Sequence, residues 1–176
     1  MDKYVEAVNN ILNNASDFKN AMQEVVEVLF AMYECERAYL IYPCDPNSLY
    51  WRTIECAVDE SISATDIGQD LMMDESVASV CKILREKKDA VSFGIKGEFP
   101  VPKMLSETFK IKSQLTMPIY SQDNDVLALG LHQCSYERVW SDKDKALFRE
   151  IGSLITKFIS ESPESFKYHY NQVNIS

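Results

Sequence analysis

The residues of this chain that could do chemistry are few and scattered. The stretch Leu131-His132-Gln133-Cys134 sets an imidazole and a thiol two positions apart, so a strand there would put both on one face. Neutral imidazole can contact a ligand or ligate a metal or haem. The bland alternative is a core histidine satisfied by a local hydrogen bond. His132 and Cys134 would supply one edge of a metal site, but a structural zinc wants about four ligands and no others are evident, so no metal is expected. Cys44 and Cys134 are candidates for redox work, set against the usual role of a free cysteine as a small buried apolar residue. Asp142, Asp144 and Glu150 form an acidic run whose first two members complement a helix N-terminus rather than act as acid and base. Arg138 and Trp140 read as structural, the indole covering a core and the guanidinium tying down a turn. The chain holds no glycine-rich phosphate loop, His-Glu-x-x-His or Gly-x-Ser-x-Gly. It is read as non-catalytic.

The elements that must position these residues follow from apolar spacing. Tyr4 to Leu12 carries Val5, Val8, Ile11 and Leu12 at helical intervals. Ser16 is placed to cap a stronger helix with Phe18, Met22, Val25, Val26, Leu29 and Phe30 on one stripe. Ala38–Tyr42 and Tyr50–Ala57 read as antiparallel strands around a Pro-rich turn. Asp74 caps a helix through Lys87, Ala90–Phe93 is a short strand, and Pro102 opens a small helix ending near Phe109. Ser113–Tyr120 and Val126–Cys134 form the clearest hairpin. Ser141 and Asp144 form a capping box before the stripe Leu147, Ile151, Leu154, Ile155, Phe158, which Pro163 ends. The expected fold is α+β, a mostly antiparallel sheet with the N- and C-terminal helices on one face and loops or short helices over the other. One domain spans 1–160, and 161–176 is a tail or the start of a linker to an output domain.

Alternation within the hairpin decides what lies above that sheet. Leu127, Leu129 and Leu131 share the face that receives helices, while Ala128, Gly130 and His132 share the other. Small residues leave room, and room with one polar ring is how a small-molecule pocket begins. The sequence leaves a second reading open, in which a covering loop fills the room. Composition narrows the partners. Of 176 residues 46% are hydrophobic and 26% charged, and 18 basic against 27 acidic residues give a net charge of −9. That balance disfavours nucleic acid and anionic membrane surfaces. Five cysteines without a C-x-x-C pair suit a reducing cytoplasm. No run is long and apolar enough to span a bilayer, and the N-terminus does not read as a signal peptide.

Three segments together resemble the GAF domains of phytochrome-related and other bacterial sensor proteins. They are Leu131-His132-Gln133-Cys134-Ser135 with Arg138 and Trp140, Lys112 through Ile119, and Cys35-Glu36-Arg37-Ala38 with Tyr42-Pro43-Cys44-Asp45-Pro46 and Trp51-Arg52. The resemblance runs from about Ser16 to Ile159. It implies a sensory module of a two-component signalling protein, such as a sensor histidine kinase, that binds a small ligand or partner and relays its state through terminal helices. By the same resemblance His132 lies against a ligand, with Gly130, Ala128, Phe93 and Phe99 as further candidate contacts. The rivals are a spacer whose pocket is filled by Met72, Met73, Phe93 or Phe99, and a cysteine-based methionine sulfoxide reductase.

Bilin-binding relatives place a Cys-His pair where gapless counting puts Val101 and Pro102 here. No cofactor is therefore expected, and covalent bilin attachment is not. The stripe Val5, Val8, Ile11, Leu12 is expected to exceed what the sheet can bury, giving a homodimer through those residues. Incubation with biliverdin or phycocyanobilin should yield no acid-stable adduct. A zinc-fluorescent band that survives denaturation would overturn this and point to Cys81 or Cys134.

Overall fold

The computed structural model describes residues 1–58 and 70–173. Two helices open the chain, α1 (Lys3–Asn14) and α2 (Phe18–Tyr33), followed by strands β1 (Arg37–Tyr42), β2 (Tyr50–Ala57) and β3 (Leu71–Met72). Helix α3 (Glu75–Lys87), strand β4 (Val91–Phe93) and helix α4 (Lys103–Phe109) come next. The hairpin β5 (Ser113–Tyr120) and β6 (Val126–Gln133) and the helices α5 (Asp142–Glu161) and α6 (Pro163–Gln172) complete it. The strands form one sheet in the order β3-β2-β1-β6-β5-β4, with each neighbouring pair antiparallel.

Parity sorts the sheet into two faces. Leu127, Leu129 and Leu131 of β6, with Ala38, Leu40 and Tyr42 of β1 and Leu115 and Ile119 of β5, join the core built by α1, α2, α5 and α6. Ala128 and Val126 point the other way, into a second cluster with Val77, Val80, Cys81 and Leu84 of α3 and Leu105 and Phe109 of α4. The first and last helices thus share the leucine face, and the short helices cover the opposite one, as the sequence pattern implies.

Local chemistry explains the element ends. Asp74 accepts from the Val77 N–H at 2.9 Å, and Ser141 and Asp144 form the reciprocal capping box. The cap of α2 is Asp17 rather than the expected Ser16: its carboxylate accepts from Asn20 N–H at 2.9 Å. Glu34, Lys88 and Lys110 close α2, α3 and α4 in the left-handed conformation.

Two expectations are corrected. The first is the dimer stripe. Val5, Val8 and Leu12 lie within this chain's own core, at 1%, 0% and 7% exposure, because α1 packs across α2 and α5. Only Ile11 of the four is half-buried. The helical layer supplies a second tier of burial that sheet area alone does not count, so self-association would need another surface.

The second is the tail. Pro163 does end α5, but it also stands at the first position of α6, where its missing N–H costs nothing. Phe166, Tyr170 and Val173 are buried in the main core, and residues 174–176 lie outside the described residues. The Phe18 ring meets Phe166 at 5.3 Å and Tyr42 at 5.9 Å, while Ser165 Oγ accepts from the Phe18 N–H. The folded unit runs through α6. Phe166→Ala should therefore lower the unfolding free energy by about 3–5 kcal/mol in urea denaturation, where a tail residue would change it by less than about 0.5 kcal/mol.

Candidate functional site

Cross-strand register assembles a cavity floor from alternate residues of four strands. Arg37 of β1 lies opposite His132 of β6, which lies opposite Gln114 of β5. Tyr39 lies between Glu55 and Gly130, and Gly130 faces Thr116. Ile41 lies between Thr53 and Ala128. Over these rows Val77 and Val80 of α3 and Leu105 and Phe109 of α4 form a roof, and Trp51 closes one end. The cavity is about 50 Å³ and partly open to solvent.

Of the polar residues of this floor, Arg37, Gln114, Thr116 and His132 are buried and Thr53 and Glu55 half-buried. Arg37 is 1% exposed and Glu55 approaches it to 3.9 Å, so opposite charges meet away from water. The guanidinium also stacks over the Phe109 ring at 5.5 Å. Arg37 Nη1 lies 2.7 Å from His132 Nδ1. Arginine has no acceptor, so Nδ1 must accept and the neutral ring carries its proton on Nε2. Burial first, and the Arg37 charge second, hold the His132 imidazole well below its ordinary range.

Tyr39 lies across Gly130, where any Cβ would overlap the phenol ring. That ring sits 4.4 Å from His132, and its hydroxyl accepts from Gln114 Nε2 at 2.6 Å. Thr116 donates to Leu129 O at 2.9 Å. Three buried polar atoms of cavity-lining residues have no hydrogen-bond partner among the described residues: Trp51 Nε1, Thr53 Oγ1 and Gln114 Oε1.

The sequence-derived candidates divide. His132 and Ala128 line the cavity, and Gly130 lies beneath Tyr39. Phe93 and Phe99 form a ring pair at 5.8 Å elsewhere in the second cluster and do not line the cavity. Of the expected fillers, Met72 is 74% exposed, and Tyr39 takes the space over Gly130 instead. Arg37, Glu55, Trp51, Thr53, Gln114 and Thr116 were missed. Alternation marked each as opposite in face to the core residues of its own strand, but the register that sets them on the face of His132 is seen only in the sheet.

Beside the cavity, the remaining polar motif residues are structural. The Glu36 carboxylate accepts from the Cys134 and Ser135 N–H groups, the Ser135 hydroxyl and Gln133 Nε2 at 2.6–3.1 Å. Burial pushes its pKa up, but the Ser135 and Cys134 donors outweigh that and hold it below the usual carboxylate range. Arg138 donates to Tyr33 O at 2.6 Å and to Gln133 Oε1, with its guanidinium over the Trp140 ring. Val101 packs half-buried on the second cluster just ahead of α4, and Pro102 is that helix's cap. Among the described residues no helix is long and apolar enough to cross a membrane.

Several solved structures share this architecture at low identity. The far-red absorbing dark state of JSC1_58120g3 with bound biliverdin IXa is 13% identical, TM-score 0.71, over 92% of this chain and 99% of that one. The phycoerythrobilin-bound GAF domain from a cyanobacterial phytochrome is 15% identical, TM-score 0.72, over 91% and 94%. Free methionine-R-sulfoxide reductase from Neisseria meningitidis, in complex with its substrate, is 10% identical, TM-score 0.65, over 94% and 95%. At such identities the likeness shows the fold alone. No curated protein sequence matches the chain. The GAF domain family matches residues 17–159.

His132 gives this site a pH signature. With its folded pKa depressed, the unfolded chain takes up a proton near pH 6.5 that the folded chain refuses. Stability should therefore fall as pH drops below about 6.5, by up to about 1.4 kcal/mol per pH unit for this group. His132→Asn keeps an acceptor for Arg37 and removes the titration. Urea unfolding between pH 6.5 and 5.5 should show a flatter slope in that variant, while His169, the only other histidine, is common to both proteins.

Proposed function

The chain belongs to the GAF domain family, and from that premise we propose that it is a non-catalytic sensory module of a signalling protein, binding a small ligand between the sheet and α3–α4. The observation that carries this reading is the floor of buried and half-buried polar side chains beneath an apolar roof, a combination suited to orienting a small molecule. A ligand state would reach an output domain in the same polypeptide, of the two-component histidine-kinase kind, through the helices on the opposite face. It could do so only by binding one arrangement better than another. A cytoplasmic setting and a homodimer using a surface other than the buried α1 stripe belong to the same proposal.

Two of the structural relatives carry bilins. For this chain we infer no covalent bilin, since Val101 and Pro102 stand at the counted attachment positions and offer neither thiol nor imidazole. The rival reading as a cysteine-based methionine sulfoxide reductase needs a thiolate. Burial raises the Cys35 thiol to about 12 and pushes Cys56 and Cys134 up as well, while the hydrogen-bonded Cys81 and then burial push up Cys44. Those environments favour thiols over nucleophiles.

The placement of Tyr39 over Gly130 favours the spacer as the second reading, because it removes part of the room the small residues leave. A thermal-unfolding screen against small molecules separates the two. A ligand at a hundred times its Kd should add about 2.7 kcal/mol to the unfolding free energy, and Ala128→Leu, which fills the cavity, should abolish the effect. A wild type that responds to no compound, with its fold intact, would favour the spacer.

A further inference from the structure

We propose that a second cleft, between the turn after β4 and the start of α5, binds a small phosphate-bearing anion through Lys96, Arg138 and Lys145. The cleft holds about 230 Å³ and opens to solvent. Lys96, Gly97 and Glu98 come to its wall from the turn, and Arg138, Trp140 and Lys145 from the approach to α5 and its first turn. It shares no lining residue with the cavity under α3 and α4. Among the described residues of its wall three side chains are cationic and Glu98 is anionic, in a chain whose net charge is −9. A cleft dominated by one sign concentrates the field and draws in the opposite ion. Lys96 and Glu98 are exposed, and Arg138 and Lys145 half-buried, so these charges meet solvent.

The way these charges are already engaged sets the ligand's charge. Glu98 Oε2 accepts from the Ser92 N–H at 2.9 Å and the Ser92 hydroxyl at 3.1 Å, and Lys145 Nζ stands 3.7 Å from the same oxygen. That carboxylate answers one cation. Among the described residues neither Lys96 nor Arg138 has an ion pair. Glu137, beside Arg138, accepts from the Ile95 N–H and does not line the cleft. Two unanswered positive charges match a phosphate dianion better than a single carboxylate. The walls are also set before a ligand arrives, which lowers the ordering cost of binding. Arg138 Nη1 donates to Tyr33 O and Gln133 Oε1, and its guanidinium lies 4.4 Å from the Trp140 ring centre. Across the cleft a Cβ on Gly97 would meet the backbone of Ser92, Phe93 and Gly94 within 2.9 Å, so the turn carrying Lys96 is tightly closed. The volume is at least about fifteen times the least that holds one water, room for the anion with part of its hydration.

The test titrates inorganic phosphate, methyl phosphate and acetate into the ¹⁵N-labelled protein at about pH 8, where phosphate is doubly charged, with sodium chloride holding the ionic strength constant. Either phosphate should shift the amides of residues 92–98 and 138–145 saturably, with a Kd on the order of 1 mM, and leave the Trp51 indole peak of the other cavity in place. Acetate should bind more weakly. Lys96→Gln and Lys145→Gln should each weaken phosphate about two- to fivefold, the range of an exposed charge pair. Lys145→Arg should retain it, and Glu98→Gln, which keeps an acceptor for Ser92, should tighten it. Shifts no larger than those from chloride alone, or an affinity unchanged in both lysine-to-glutamine variants, would overturn the site. Acetate bound as tightly as phosphate would overturn the phosphate assignment. Methyl phosphate bound at least as tightly as inorganic phosphate would support an organic phosphate as the ligand, and weaker binding would support the free ion. Because the two clefts share no lining residue, failure here leaves the cavity reading standing.

Discussion

A guanidinium buried to 1% exposure is the constraint around which the cavity side of this protein is arranged. Arginine does not lose its charge at any ordinary pH, so Arg37 must be matched where it stands. Glu55 from β2 supplies the opposite charge, His132 from β6 the acceptor, and Phe109 from α4 the ring face. Each comes from a different element, so one side chain ties a strand, its two neighbours and a roof helix into a single geometry. A one-residue slip of β1 would turn Arg37 into the leucine core, where no such partners exist. The burial that is costly in isolation thus helps specify the register.

Glu36, the adjacent residue, works on the end of β6 instead. Its carboxylate gathers donors from Gln133, Cys134 and Ser135 as β6 finishes, and Arg138 then fixes Gln133 and the end of α2. Segments nearly a hundred residues apart in sequence therefore meet at the start of β1. The pair Glu36-Arg37 has one charge closing the turn and the next lining the cavity, which is what a period of two allows on neighbouring residues.

The two faces of the sheet differ in how they are filled. The helical face is closed by leucines and by the aromatic group of Phe18, Tyr42, Phe166 and Tyr170, leaving little slack. The opposite face mixes apolar roof residues with polar floor residues and keeps a small cavity. Because β6 contributes Leu129 and Leu131 to one side and Ala128 and His132 to the other, the cavity and the helices share one backbone, which is the route the proposed relay would take. The physical requirement for such coupling is two arrangements close in free energy.

The sequence by itself determined what depends on neighbours along the chain. Helical stripes, the capping box at Ser141, the hairpin and the leucine parity of β6 all follow from periods of 3.6 and 2, and they placed the terminal helices and His132 correctly. Short-range chemistry misled only where two residues competed for one role, as Ser16 and Asp17 did at the α2 cap. What the tertiary structure decided was who meets whom across many residues. The sequence could not show that α1 has α2 and α5 to pack against, so its apolar stripe read as surplus; nor that α6 returns to Phe18, so it read as a tail. The cavity floor is the same case. Arg37, Glu55 and Gln114 carry the right parity, but only strand order and register put them beside His132, and only the reach of Tyr39 across Gly130 decides how much of the room remains.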